Sequence, residues 1–231
     1  MLYRAVKSTE DQLTLQKDLE SLSQWATTWG MRFNPSKCII LTIARSEKNR
    51  LLKFYTMDGV VLSHVQEAKY LGILISDDLH WSKHVQMVSS KANSILGLLR
   101  RNLHHCPQQL REQAFISLVR SRLEYSATAW DPHLAKDIKT LEMVQRRGAR
   151  FVKQDYDFRS SVTNLLQDLN WAPLMARRRD LRLALLYKII NDKVAIPVED
   201  ILISSDQRTH SNHPHTYKHL RSQSSIDTHI L

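Results

Sequence analysis

The sequence predicts an α+β protein in which a small mixed front, residues 1–78, gives way to a mostly helical remainder. Three observations carry that prediction. Apolar residues between Ser8 and Gly30 recur at three- and four-residue steps; the β-branched run from Cys38 to Ile43 and the Asp58-Gly59 turn signal follow; and from Trp81 onward the helical spacing returns and persists.

In the opening helix Leu15, Leu19, Leu22, Trp25 and Trp29 outline one face to be buried, Thr9 with Gln12 resembles a capping box, and Gly30 supplies the stop. After Asn34 and Pro35 the run Cys38-Ile39-Ile40-Leu41-Thr42-Ile43 reads as a strand. Phe54 to Met57 and Val60 to Val65, either side of Asp58-Gly59, read as small strands that pair in a hairpin. Tyr70-Leu71-Gly72-Ile73-Leu74-Ile75 reads as a further strand, ended by the polar turn Ser76-Asp77-Asp78.

Beyond it, Trp81, Val85, Val88, Ala92, Ile95 and Leu99 form one helical stripe, Pro107 is placed to open the next helix, and Asp131-Pro132 breaks the series. Ile138, Leu141, Gln145, Gly148 and Val152 outline another helix face, with Arg146, Arg147, Arg150 and Lys153 largely outside its apolar stripe. A short helix from Ser161 to Leu169 and a longer one after Pro173 follow. Near Ile203 the periodicity stops, and Thr209 to Leu231, rich in Ser, His and Thr, is expected to be disordered. The organisation expected is therefore 1–78 mixed, 79–155 helical, 156–202 C-terminal helices and 203–231 a polar tail.

The totals agree with a folded body. At 231 residues the chain can form one large domain or two small ones, and 42% hydrophobic with 24% charged residues is a globular composition; 5 Gly and 6 Pro argue against a fibrous chain. The formal charge of +10, from 33 Lys and Arg against 23 Asp and Glu, favours polyanionic partners such as nucleic acid or an anionic membrane surface. No apolar run approaches the roughly 20 residues of a membrane span, the start MLYRAVKSTEDQ lacks the apolar stretch of a secretory signal, and only Cys38 and Cys106 are present. The expectation is an intracellular protein, cytoplasmic or nuclear, without a membrane partner.

Metal ligation finds little support at this level. His104 and His105 beside Cys106 lack a fourth ligand at zinc-site spacing, so a polar turn is the better reading, and the irregular spacing of His210, His213, His215 and His219 fits solvated histidines.

Several blocks, in order, carry a family resemblance. They are Trp25 to Ile43 (WATTWGMRFNPSKCIILTI) with Trp29, Asn34 and Lys37; Ala68 to Ile75 (AKYLGILI); and the series from Trp81 to Val152 containing KAN at Lys91, LLRR at Leu98 to Arg101, VRSRLEYSATAWDP at Val119 to Pro132 and LEMVQRRGARFV at Leu141 to Val152. With LNWAPLMARRRDLRLALLYKI at Leu169 to Ile189, these resemble the jockey-like reverse transcriptases of non-LTR retrotransposons, over nearly all of the chain up to about Pro197.

That resemblance implies that residues 1–78 are the end of the polymerase palm, that Tyr70, Leu71 and Gly72 belong to its primer grip, that 79–155 form the thumb, and that Lys37 lies near the incoming triphosphate. In the family the carboxylates that hold catalytic Mg2+ stand in an aromatic-Ala-Asp-Asp turn ahead of a segment like MLYRAV; here Met1 opens that segment, and the family's later aromatic-rich stretch is missing after His210. The resemblance thus implies no cofactor in this fragment, no catalytic residue, and a chain that grips an RNA/DNA primer–template duplex without polymerising alone; Lys37 is the one position the family could carry over, and in this isolated chain a solvent-facing lysine at the start of a strand describes it better.

From the residues themselves, Lys91, Arg100, Arg101, Arg146, Arg147, Arg150 and Lys153 are the candidate phosphate contacts, since such contacts need cations but no base readout. Trp29, Trp81, Trp130 and Trp171 sit at helix-stripe or helix-end positions where a core role outweighs base stacking. Asp77-Asp78 follows a strand, yet with no third carboxylate block ahead of it a turn outweighs a metal site. The alternative function is a helical protein-interaction module derived from a decayed retroelement, and a palm surface or sheet edge left uncovered invites self-association.

Overall fold

The computed structural model describes residues 1–44 and 54–204, together with short backbone stretches at 217–219 and 227–230. The chain divides into two compact units, Met1–Trp81 with Gln223–Leu231, and Ser82–Ser222. The mixed α+β class expected from the sequence is present.

The first unit opens with strand β1 (Tyr3–Val6) and helix α1 (Thr9–Thr28). The α1 cap lies one residue earlier than the sequence suggests. Ser8 Oγ accepts from the Asp11 amide at 3.2 Å, and the Asp11 carboxylate reaches back to the Ser8 amide at 2.9 Å. Asp11 wins over Gln12 because its ionised carboxylate is the better acceptor for free amides; the Lys7 and Ser8 contacts hold its pKa below the usual carboxylate value. At the other end Gly30, at φ +67°, allows the Gly30 amide to reach Thr27 O and the Met31 amide to reach Ala26 O, a Schellman closure.

The α1 stripe is rotated from the expected one. Gln12, Leu15, Leu19 and Ala26 are buried with Leu22 at the edge, while Trp25 is 50% and Trp29 69% exposed. The sheet that α1 covers includes β2 (Ile39–Ile43) and β5 (Ser63–Val65), which pair in parallel, with Asp227–Ile230 antiparallel between β1 and β2. Between them β3 (Thr56–Met57) and β4 (Val60–Val61) form the expected hairpin across Asp58-Gly59. Leu15, Leu19, Ile40, Tyr55, Met57 and Leu62 make the core. Gln16 fastens helix to hairpin by pairing both ways with the Thr56 backbone, at 3.0 and 3.1 Å.

The expected single strand over residues 70–75 is instead a hairpin, β6 (Glu67–Tyr70) and β7 (Ile73–Ser76). Leu71 at φ 45° and Gly72 at φ 89° make a two-residue turn of the primed type, whose twist suits antiparallel strands. A chain reversal therefore falls inside what reads as one apolar run.

The second unit is helical as expected: α2 (Ser82–Asn102), α3 (Gln108–Phe115), a π-helical turn Ile116–Arg120 leading into α4 (Ser121–Glu124), α5 (Ala127–Trp130), α6 (Ala135–Lys153), α7 (Val162–Asp168) and α8 (Leu174–Ile190). Pro107 and Pro173 stand at the starts of α3 and α8, positions where a missing amide costs nothing.

Helix α6 is the hub, packing against α2, α3, α7 and α8. Its face Leu141, Gln145, Gly148 and Val152 is buried as expected, and Val144, Ala149 and Phe151 join it. Gly148 lets the Phe115 ring lie where a Cβ would be: an added methyl would stand 2.1 Å from Phe115 Cε2. Gln145, fully buried, donates to Ala172 O at 2.9 Å and so ties α6 to the start of α8. On α2 the buried line is Val85, Ser89, Ala92, Leu96 and Leu99, with Val88 and Ile95 at its margin. After α8, Leu202–Ser204 (β8) pairs with Tyr217–His219 (β9). The rest of the expected tail, with His210, His213 and His215, lies outside the described residues.

Candidate nucleic-acid interface

Helix α2 carries short polar side chains on the face beside its apolar line. Gln86, Ser89, Ser90, Asn93 and Ser94 from α2, with Thr140, Met143 and Arg147 from α6, line a cleft of about 640 Å3. Arg147 reaches across it, its Nη1 donating to Asn93 Oδ1 at 3.2 Å. One turn further along α2, Gly97, Arg100, Arg101 and His104 with Tyr156 line a second hollow of about 410 Å3. Ser90, Ser94, Gly97 and Arg101 follow one another at steps of four, three and four, so a single face of α2 floors both hollows. Short side chains allow a bulky strand to come close, and the guanidinium groups supply the charge to hold a polyanion.

The candidate cations do not share one surface. Arg147 faces the first hollow and Arg100 and Arg101 the second, Arg100 also covering the Tyr156 ring at 4.7 Å from its centroid. Exposed Lys91 follows Ser90 and so lies about 100° round α2 from the cleft floor. Arg146 is half-buried on α6, about 100° from Arg147. Lys153 stands 3.7 Å from the Asp168 carboxylate. Arg150 is committed locally: Nη1 donates to Asp155 O at 3.1 Å and Asp157 O at 2.8 Å, and Nη2 to Ser160 O at 3.2 Å.

Residues attributed to the palm lie in the first unit. Lys37 is exposed at the end of a short 3-10 turn, Pro35–Lys37, which Asn34 caps by accepting from the Ser36 amide at 3.1 Å. It stands beside an apolar hollow of about 380 Å3 that includes Leu19, Leu22, Phe33 and Met57. Tyr70, Leu71 and Gly72 form the tip of the β6–β7 hairpin, with the Leu71 side chain 71% exposed. Of the four tryptophans weighed for base stacking, Trp130 and Trp171 are buried, Trp81 is half-buried and Trp29 is exposed.

Over 189 residues the chain is 21% identical to the RNA-directed DNA polymerase from mobile element jockey of Drosophila funebris, a match covering 78% of this chain and 18% of that protein. It is 22% identical over 173 residues to the probable RNA-directed DNA polymerase from transposon BS of Drosophila melanogaster, covering 74% and 19%. The jockey polymerase of Drosophila melanogaster matches at 34% over 71 residues, 31% of this chain and 8% of that protein. The chain is a distant, partial homologue of these polymerases. It spans less than a fifth of the length of the relatives it matches. No protein-family model and no solved structure matches it.

Two-metal nucleotidyl transfer needs converging carboxylates, and among the described residues none converge in that way. Asp78 accepts from Ser76 Oγ at 2.6 Å and the His80 amide at 2.8 Å, which lowers its pKa and fixes it in a turn. Among the described residues no three His, Cys, Asp or Glu side chains gather into a metal-holding group. Nor is any described helix long and apolar enough to cross a membrane.

The helical unit also contains residues that sequence reasoning passed over. Arg111 is buried and donates to Val152 O from Nε at 3.0 Å and Nη2 at 2.8 Å, capping α6 from α3. His84 is buried edge-on against Trp130, centroids 4.7 Å apart, and burial with Lys91 nearby depresses its pKa to about 4. Tyr156 and Phe158 project from the loop that Arg150 fastens; the Asp-x-Asp spacing at 155–157 was the available signal, since aspartates at that step form Asx turns.

Proposed function

We propose that this chain is the holding part of an RNA-directed DNA polymerase from a non-LTR mobile element, gripping a primer–template duplex through the α2–α6 face without polymerising on its own. The observation that carries this reading is the polar cleft between α2 and α6, floored by Ser90, Ser94 and Gly97 and spanned by Arg147, with Arg101 in the adjoining hollow. Such a surface meets backbone phosphates rather than base edges, so affinity is independent of sequence. The partial homology to jockey and BS polymerases supports it, as does the formal charge of +10.

In this reading Tyr70, Leu71 and Gly72, at the exposed hairpin tip, rest against the primer strand, and Lys37 stands toward the triphosphate in the complete polymerase. The test is a titration of labelled primer–template against the chain at several salt concentrations. With about four phosphates contacted, affinity falls on the order of a hundredfold between 50 and 200 mM salt. Binding unaffected by salt, or extension of the primer by the purified chain with no other polymerase present, would sink the reading.

A second reading, a helical interaction module, is favoured by α8, where Leu183 and Tyr187 are 56% and 58% exposed and apolar residues surround the helix. Its mark is an oligomer that persists after nuclease treatment.

A further inference from the structure

We infer that the loop from Asp155 to Ser160, with the hollow beside it, is a stacking site for an unpaired nucleotide of single-stranded RNA or DNA. This inference rests on the proposed nucleic-acid reading and adds to it a second, separable subsite.

The loop is built to hold aromatic rings in water. Arg150 bonds three of its carbonyls, those of Asp155, Asp157 and Ser160. The Asp155 carboxylate accepts from the Asp157 amide at 3.1 Å, and that of Asp157 from the Arg159 amide at 2.9 Å. With its polar groups thus engaged, the loop keeps a fixed form while Tyr156 remains 49% and Phe158 85% exposed. An exposed ring on a loop that has its own internal support is surface presented for contact, at little further ordering cost.

The chemistry around the rings selects the partner. Arg100 lies over Tyr156 at 4.7 Å and Arg159 over Phe158 at 5.4 Å, and Arg101 and His104 complete the hollow of about 410 Å3 with Gly97. An apolar protein surface placed here would strip water from several guanidinium groups without repaying them. A nucleotide answers both features: its base stacks on an aromatic face and its phosphate meets the guanidinium groups, which outnumber the loop's two carboxylates. Stacking of this kind accepts any base. Because Gly97 and Arg101 continue the α2 face that floors the larger cleft, the unpaired nucleotide would lie next to the duplex held there.

The experiment compares a labelled ten-residue oligothymidylate with a blunt duplex, binding each to the full chain and to Tyr156→Ala/Phe158→Ala. The inference predicts that the double variant weakens oligothymidylate binding by about tenfold or more, as expected for losing one or two stacked bases, and weakens duplex binding, which rests on the charges of Arg101 and Arg147, by much less. Phe158→Trp, which keeps a stacking face, should retain the single-strand affinity. Unchanged single-strand binding in the double variant, or an equal loss on both probes with an unchanged melt, overturns the stacking site and leaves the duplex reading standing. If the unmodified chain binds the duplex but not the oligothymidylate, the inference alone falls; if it binds neither, both fall.

Discussion

The two units use their apolar residues differently. In the helical unit, α6 is surrounded by α2, α3, α7 and α8, and nearly every apolar residue of its stripe is buried. In the first unit α1 meets its sheet on one side only, so Leu15, Leu19 and Ala26 are covered while Trp25 and Trp29, on the same apparent stripe, stay half or more exposed. Helical spacing thus states which residues can share a face; whether that face is buried depends on how many neighbours arrive to cover it.

Tryptophan offers the sharpest way to break that comparison. Trp130 is fully buried, with its indole N–H donating to Tyr125 O at 2.8 Å. Replacing it with Ala should cost about 3–5 kcal/mol, the usual loss for a buried Trp. Trp29→Ala should move stability by less than about 0.5 kcal/mol, as at most exposed sites. Urea unfolding of the two variants measures both, and comparable losses would show that the exposure of Trp29 has been misjudged.

A smaller effect is expected at Gly148, where an alanine methyl would meet the Phe115 ring at 2.1 Å. Phe115 is fully buried and stacked on Trp171 with centroids 4.7 Å apart, so it has nowhere to retreat. Gly148→Ala should therefore destabilise the helical unit by about 1–3 kcal/mol despite the better helix propensity of alanine. In α2, Gly97→Ala meets only the Arg101 tip at 3.7 Å, so the propensity gain should show instead.

Acid should act through His84. Its pKa falls from 6.5 to about 4 on burial, so the unfolded chain takes up the proton first. The contribution of the neutral imidazole is fully present above pH 6.5 and is lost as pH falls from there toward 4, on the order of 2 kcal/mol. Denaturant midpoints of His84→Gln between pH 7 and 4.5 should fall less steeply than those of the unmodified chain; parallel curves would contradict this.

Much of this architecture was legible in the sequence. The Cys38 to Ile43 strand, the Asp58-Gly59 hairpin, the prolines opening α3 and α8 and the α6 face follow from local chemistry, and the local chemistry prevailed. What escaped it was set by longer-range or competing terms. Leu71 adopts a positive φ that a leucine rarely takes, which hid the turn at Gly72; the short strand Tyr3–Val6 exists through its pairing partner. For the proposed interface the sequence marked basic positions on two helices, and the structure sorts them, with Arg100, Arg101 and Arg147 at the hollows and Arg150 drawn into the support of a loop.

The most direct test of the α2–α6 interface compares two charge reversals of equal size. One is Arg101→Glu/Arg147→Glu, at the hollows; the other is Lys17→Glu/Arg32→Glu, at exposed positions of the first unit. Both change net charge by the same amount, so a general field effect weakens duplex binding equally in the two. The interface account predicts that the first pair loses about tenfold or more in affinity and lowers the salt slope by about two, while the second keeps the slope of the unmodified chain. Equal losses in affinity and slope would contradict it.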